Sequence, residues 1–364
     1  MRNKELIAAL ERWAPLELQE DYDNAGLQVG DPEAEIEGAM VCLDCTEAVV
    51  NEAERKGCGL VIAHHPVIFR GLKSLVARGP VERTLLSALR QGVAIYAIHT
   101  NLDNVIDGVN GEIADRLGLS PLHVLDPKGD QLAKLVVFVP RSHADPVRDA
   151  IFAAGAGRIG RYDECSFNVD GRGTFRAGEG ADPFVGALGV RHEEPEVRIE
   201  AIFHRPLERA ILAALTAAHP YEEAAFDVYP LANAHNGIGS GLMGEWDEGL
   251  DEGEFLGRLR EVFGLKVVRH TAYTGRRIRR VALCGGSGAF LLRRALAESA
   301  DAYVTGDVKY HEFFEADGRL LFADIGHYAS EQFTMARIKR RLGEIFPTFA
   351  VHLTETVTDP IHYS

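Results

Sequence analysis

The chain of 364 residues carries 54 acidic against 39 basic residues, a formal charge of −15, with 46% hydrophobic and 26% charged residues. This composition is that of a globular protein and excludes a disordered one. The acidic excess repels phosphate backbones and anionic lipid, which argues against direct nucleic-acid binding.

The length exceeds one ordinary compact core, so two domains are expected. No apolar run approaches the roughly 20 residues of a membrane span. The start, Met1-Arg2-Asn3-Lys4-Glu5, leads into an amphipathic helix rather than a signal peptide, and a cytoplasmic protein is expected. Cys42, Cys45, Cys58, Cys165 and Cys284 are an odd, scattered set and do not form a disulfide framework. Cys42 and Cys45 have C-x-x-C spacing, but no second such pair follows, and Cys42 falls inside an apolar strand as a core thiol.

Asn3 is placed to cap a first helix in which Leu6, Ile7, Leu10 and Trp13 recur at helical spacing. A turn-rich segment follows, Asp23-Asn24-Ala25-Gly26-Leu27-Gln28-Val29-Gly30-Asp31, read either as a turn into a short strand or as a loop lining a site. Strand 39–43, helix 47–56, strand 59–63, helix 80–91 and strand 93–98 then alternate, which implies a parallel sheet with right-handed crossovers. Strand 59–63 ends on His64 and His65, and strand 93–98 ends on His99 and the segment to Asp103. The carboxyl ends of such strands are where open α/β sheets hold ligands.

The C-terminal part repeats this plan in pattern rather than identity: strand 280–284, helix 290–298, strand 302–305, helix 310–316, and strand 320–324 running to Gly326-His327. His327 and Glu331 are four apart at the opening of a last helix, 330–345, and so share a face. Two similar α/β halves, 1–129 and 241–364, are therefore expected to form one core domain around a central cleft. Residues 64–103 would line one side of it and 306–331 the other. Between the halves, 130–240 reads as an inserted β-α-β-β-α-β, ferredoxin-like α+β domain. Within it, Gly171-Arg172-Gly173 and Gly178-Glu179-Gly180 read as loop, and residues 236–241 as the return linker.

Imidazole and carboxylate donors without clustered thiolates suit zinc, iron or manganese rather than a closed structural zinc site. His64, His65, Asp103, His327 and Glu331 are too many donors for one catalytic zinc. They suit two divalent metal ions per subunit and metal-assisted hydrolysis. His99 is read as an auxiliary ligand or as a donor orienting one. His311, spaced helically with Glu315, is either on a solvated face or a general acid or substrate contact at the cleft mouth, so His99 and His311 are the catalytic candidates. The one compact basic run, Arg276-Arg277-Ile278-Arg279-Arg280, reads as a solvated strand edge.

The segments at 23–30, His64-His65-Pro66, His99-Thr100-Asn101-Leu102-Asp103, Gly306-Asp307 with His311, and Gly326-His327-Tyr328-Ala329-Ser330-Glu331 resemble the NGG-interacting-factor-three family. Its bacterial members are commonly labelled GTP cyclohydrolase 1 type 2 homologues. The resemblance implies a dinuclear metal centre at His64, His65, Asp103, His327 and Glu331, and a toroidal homohexamer. It also implies a metal-dependent hydrolase acting on a nucleotide or related small molecule. Residues 219–227, His-Pro-Tyr-Glu-Glu-Ala-Ala-Phe-Asp, make the insertion similar to the PII and CutA signalling folds. A regulatory protein, with metal supporting assembly and the insertion binding an effector, is the alternative.

Overall fold

The computed structural model describes residues 1–364. The chain divides into two compact units, residues 1–127 with 236–364, and residues 128–235.

In the first unit, α1 (Asn3–Trp13) buries Leu6, Ile7, Leu10 and Trp13 along one face. Arg2, not Asn3, occupies its N-cap position; Asn3 is already helical, and its amide donates to the Asp31 carbonyl at 2.9 Å. β1 (Gly26–Val29), β2 (Gly38–Asp44), α2 (Glu47–Arg55), β3 (Leu60–His65), α3 (Pro80–Gln91) and β4 (Ala94–Ala97) follow. Thr46 caps α2 through its hydroxyl, and Gly92 ends α3 in the left-handed conformation that glycine adopts without strain. α4 (Thr100–Asp103), α5 (Val109–Leu117) and β5 (Ser120–Pro127) close this stretch.

The second unit contains β6 (Leu132–Pro140), α6 (Ala144–Ala153), β7 (Phe167–Arg176), β8 (Arg191–His204), α7 (Glu208–Ala218) and β9 (Phe226–Leu231). Its sheet runs in the order β7-β8-β6-β9 with every pairing antiparallel. Leu135, Val137, Ile199 and Phe203 from the sheet pack with Val147 and Ile151 of α6 and Ile211 and Leu215 of α7, giving the unit its own core. Gly171, Arg172 and Gly173 are not loop: they lie inside β7, paired with Glu196, Pro195 and Glu194 of β8.

The first unit resumes with β10 (Gly239–Leu250), so Gly239 and Ser240 are strand rather than linker. After it come α8 (Glu252–Phe263), β11 (Arg269–His270), β12 (Ile278–Ser287), α9 (Leu292–Ala297), β13 (Ala302–Gly306), β14 (Leu321–Asp324), α10 (His327–Glu331), α11 (Thr334–Ile345) and β15 (Ala350–Leu353). The expected long last helix is therefore two helices, and residues 310–316 form a 3-10 rather than an α-helix. The basic run leads into β12, which is an interior strand between β10 and β13.

The unit holds two sheets, β1-β4-β3-β2-β15 and β11-β14-β13-β12-β10-β5. Each contains three consecutive parallel strands, β2-β3-β4 and β12-β13-β14, and each adds a short antiparallel strand beside the third, β1 or β11. The fold is thus α/β with two similar halves. Val41, Ile62 and Tyr96 of one sheet and Val281, Leu283 and Val304 of the other belong to one apolar core. Burying side chains of this size contributes about 1.5–3 kcal/mol each, which fixes the parallel strands whose ends carry the polar residues. No helix is long and apolar enough to cross a membrane.

Candidate metal centre

β3 is apolar and fully buried through Ala63, and its last two residues are His64 and His65. Pairing of Asp44 with His65 carries the strand beyond Ala63, its expected end. His64 is buried, and its Nδ1 lies 2.8 Å from the Ile98 carbonyl. A carbonyl only accepts, so Nδ1 carries the proton and Nε2 bears the lone pair. That Nε2 has no hydrogen-bonding partner, and neither does the buried Oδ1 of Asp103, 3.6 Å away. Buried polar atoms are normally paired; these two stand too far apart to hydrogen-bond to each other, and a cation between them would satisfy both.

The remaining donors converge from the second half. Glu331 Oε2 is 3.0 Å from His65 Nε2 and 3.1 Å from His327 Nε2, and the two imidazole nitrogens are 3.2 Å apart. Glu331 Oε1 is 3.8 Å from His64 Nε2. Ligand atoms about 2.0–2.1 Å from a tetrahedral zinc stand about 3.3 Å from one another, so the first three atoms have the spacing of donors around one ion. His65, His327 and Glu331 form one group able to hold a metal ion; His64, His65 and His99 form a second, sharing His65.

Each histidine is oriented through its other nitrogen. Asp44 Oδ1 lies 2.8 Å from His65 Nδ1, Asp307 Oδ2 lies 2.7 Å from His327 Nδ1, and Asp23 Oδ1 lies 2.7 Å from His99 Nδ1. Such carboxylate–imidazole pairs fix the ring and raise the basicity of the inward nitrogen. Asp23 also accepts from the Thr100 amide at 3.0 Å, tying the turn-rich loop to the start of α4. Thr358 donates its hydroxyl to Asp44 Oδ2 at 2.8 Å.

Two glycines make the approach possible. Gly286, at φ +62°, sits where a Cβ would collide with Glu331 Oε1, and a Cβ on Gly306 would press into the Gly326–His327 peptide. Asn110 joins the halves, donating to the Asp103 carbonyl and accepting from the Gly285 amide, each at 3.0 Å.

The electrostatics reflect this crowding. Burial opposes a charge on His65, but Asp44 and Glu331 outweigh it and raise the imidazole to about 10. The Glu331 hydrogen bond, against burial and with help from Asp307, raises His327 to about 9. Burial lowers His64. Burial and the neighbouring Glu331 carboxylate push Asp103 well up, whereas hydrogen bonds from the histidines overcome burial to hold Glu331 well down. Burial opposes ionisation of Asp23 too, yet His99 and Thr100 bring it to about 2.

The sequence-predicted donors His64, His65, Asp103, His327 and Glu331 thus come together, with His99 beside them; its ring centre is 5.4 Å from those of His64 and His65. His311 does not join them. It is exposed on the 3-10 turn, its ring next to Tyr310 and Phe314. With about three residues per turn, His311 and Glu315 no longer share a face. Sequence reasoning misses Asp44, Asp307 and Asp23 as orienting groups: Asp44 ends β2, Asp307 follows β13 and Asp23 lies in the loop before β1, and only the folded register sets each against a histidine.

Residues 1–360 match the family described as Duf34/NIF3 (NGG1p interacting factor 3). A protein of Halalkalibacterium halodurans named GTP cyclohydrolase 1 type 2 homolog is 39% identical over 360 residues, covering 98% of this chain and 96% of its own. The Bacillus subtilis protein of that name is 36% identical over 369 residues, covering 100% and 99%. The crystal structure of a Bacillus cereus protein related to NIF3 superposes with a TM-score of 0.87 at 35% identity, covering 100% and 99%. With a match along nearly its whole length and relatives at this identity, the chain belongs to the Duf34/NIF3 family.

Proposed function

We propose that the centre holds two divalent metal ions and that the protein is a metal-dependent hydrolase of a nucleotide or related small molecule. The observation that carries this is the pair of buried, unpartnered acceptors, His64 Nε2 and Asp103 Oδ1, facing a cluster of three more donors. His65, His327 and Glu331 would hold one ion, and His64, His99 and Asp103 the other, with Glu331 reaching toward both. Bound divalent ions supply Lewis acidity and lower the pKa of water.

The chain's own contribution is positional. Asp44, Asp307 and Asp23 hold His65, His327 and His99 by their outer nitrogens, so that each ring presents its inward nitrogen to an ion that would displace the proton there, while the burial of His64 and Glu331 limits water. His99, oriented by Asp23, and the partly exposed His327 lie where a substrate would meet the donors. The name of the curated relatives supports testing GTP first, and family membership supports a homohexamer.

Elemental analysis of gently purified protein is expected to find about two metal ions per chain, at least one lost in His64→Ala. Loss of the purine absorbance of GTP in wild type, absent in Glu331→Gln, would support the GTP reading; equal behaviour of both would remove it. A regulatory role is the second reading, favoured by the separate core of residues 128–235, which we read as an inserted ferredoxin-like, PII/CutA-like module. Unchanged turnover with a lost ligand response after deletion of 131–235 would favour it.

A further inference from the structure

The unit of residues 128–235 carries a pocket of about 860 Å³ on the face of its sheet opposite α6 and α7. Such a volume falls in the range of small-molecule sites. Its floor is β7 where Gly171 and Gly173 leave the strand without side chains, and Glu196, paired with Gly171 across the ladder, lies over it. A Cβ on Gly173 would collide with the Glu196 carboxylate. Glycine at this position therefore has a specific effect: it lets a carboxylate lie flat on the sheet.

Glu196 is only 8% exposed. Its Oε1 accepts from the Tyr221 hydroxyl at 3.0 Å; its Oε2 has no hydrogen-bonding partner in the protein, and the residue forms no salt bridge. Of the three arginines lining the pocket, Arg172 is engaged with Glu193 and Arg198 with Glu200, while Arg176, the last residue of β7, forms no ion pair with Glu196. Glu196 thus meets only a neutral hydroxyl within the protein and keeps one carboxylate oxygen turned to the pocket.

The geometry is held in place from behind. His219 donates from Nε2 to the Phe138 carbonyl at 3.0 Å and accepts the Tyr221 amide on Nδ1 at 3.1 Å, so one tautomer fixes the Tyr221 backbone. Phe175 and Phe184 flank Tyr221, with ring centres 5.8 and 6.3 Å from it. Aromatic rings attract cations through their faces, and a carboxylate with one oxygen unused makes its strongest hydrogen bonds to a charged donor.

We propose that this pocket binds a planar organic cation, an amidine, guanidine or protonated amino-heterocycle, whose N–H edge pairs with Glu196 and whose plane lies among Phe175, Phe184 and Tyr221. The site belongs wholly to residues 128–235 and is independent of the metal centre.

The test uses the full-length protein and p-aminobenzamidine, whose fluorescence rises on transfer to an apolar site, with neutral p-aminobenzamide as its isostere. Wild type is expected to bind the cation saturably and the amide at least about tenfold more weakly. Glu196→Gln is expected to weaken the cation about tenfold or more. Phe184→Ala, at a side chain 49% exposed and so harmless to folding, is expected to weaken it several-fold. Equal affinity of wild type and Glu196→Gln, preference for the amide, displacement by inorganic phosphate, or no saturable binding by wild type would each overturn the proposal.

Discussion

Replacing Asp44 by Asn tests whether the outer carboxylates tune the centre. The change keeps the volume and an acceptor oxygen but removes the charge opposite His65 Nδ1, 2.8 Å away. Losing an orienting partner of this kind costs about 10–100-fold in metal affinity. The Asp44 side chain is 37% exposed, so water replaces part of what is lost. The expected effect therefore sits near the lower end, about tenfold or about 1.4 kcal/mol. The assay is titration of metal-free protein with zinc against a chromophoric chelator, with circular dichroism to show that the fold is intact. Asp21→Asn, an exposed change of the same charge, is the control and is expected to leave affinity unaltered. If Asp44→Asn stays within about twofold of wild type, or Asp21→Asn falls equally, the orienting role is wrong.

Gly286→Ala places a side chain at φ +62° against Glu331. It should cost about 1–3 kcal/mol in urea unfolding and reduce the metal bound per chain; an unchanged midpoint would contradict the close packing.

Stripping metal with a chelator should lower the melting temperature, because an ion held at a hundred times its dissociation constant stabilises by about 2.7 kcal/mol. Restoration by zinc, but not in His64→Ala, is the expected control.

Glu52 is buried, and although burial opposes its charge, hydrogen bonds from Thr354, the Glu355 amide, Lys56 and Thr356 hold its carboxyl well below the usual range. A depressed folded pKa contributes stability that is present above the unfolded value and lost as pH falls toward the folded one. Glu52→Gln should therefore destabilise by about 1.5–3 kcal/mol at neutral pH. The gap to wild type should narrow below about pH 4.5; a pH-independent gap would refute the charge argument.

Much of the fold was legible because the core strands are continuous apolar runs. The run 60–63 followed by two histidines, and its counterpart ending at His327, give both the parallel sheets and the residues at their ends. Strand lengths in residues 128–235 were harder: glycine disfavours strands, so Gly171-Arg172-Gly173 reads as loop until β8 pairs with it along ten positions. That misreading also concealed the pocket, whose floor is those glycines. In the centre, the inward donors follow from motif and spacing. Asp44 could not be assigned, because its role depends on a parallel register that brings it beside His65. His311 illustrates the opposite failure, where i,i+4 spacing has meaning only in an α-helix and the segment is 3-10.

The separation between His65 and His327, 262 positions, has a consequence for biosynthesis. At about 5–20 residues per second, the first histidines emerge some 13–50 s before the residues that complete their coordination. Residues 128–235, with a core of their own, are made in that interval and can fold before the centre exists. Until the later strands dock, the nascent half offers only His64, His65, His99 and Asp103. Full metal retention would then mark a finished polypeptide, distinguishing it from a truncated or stalled one.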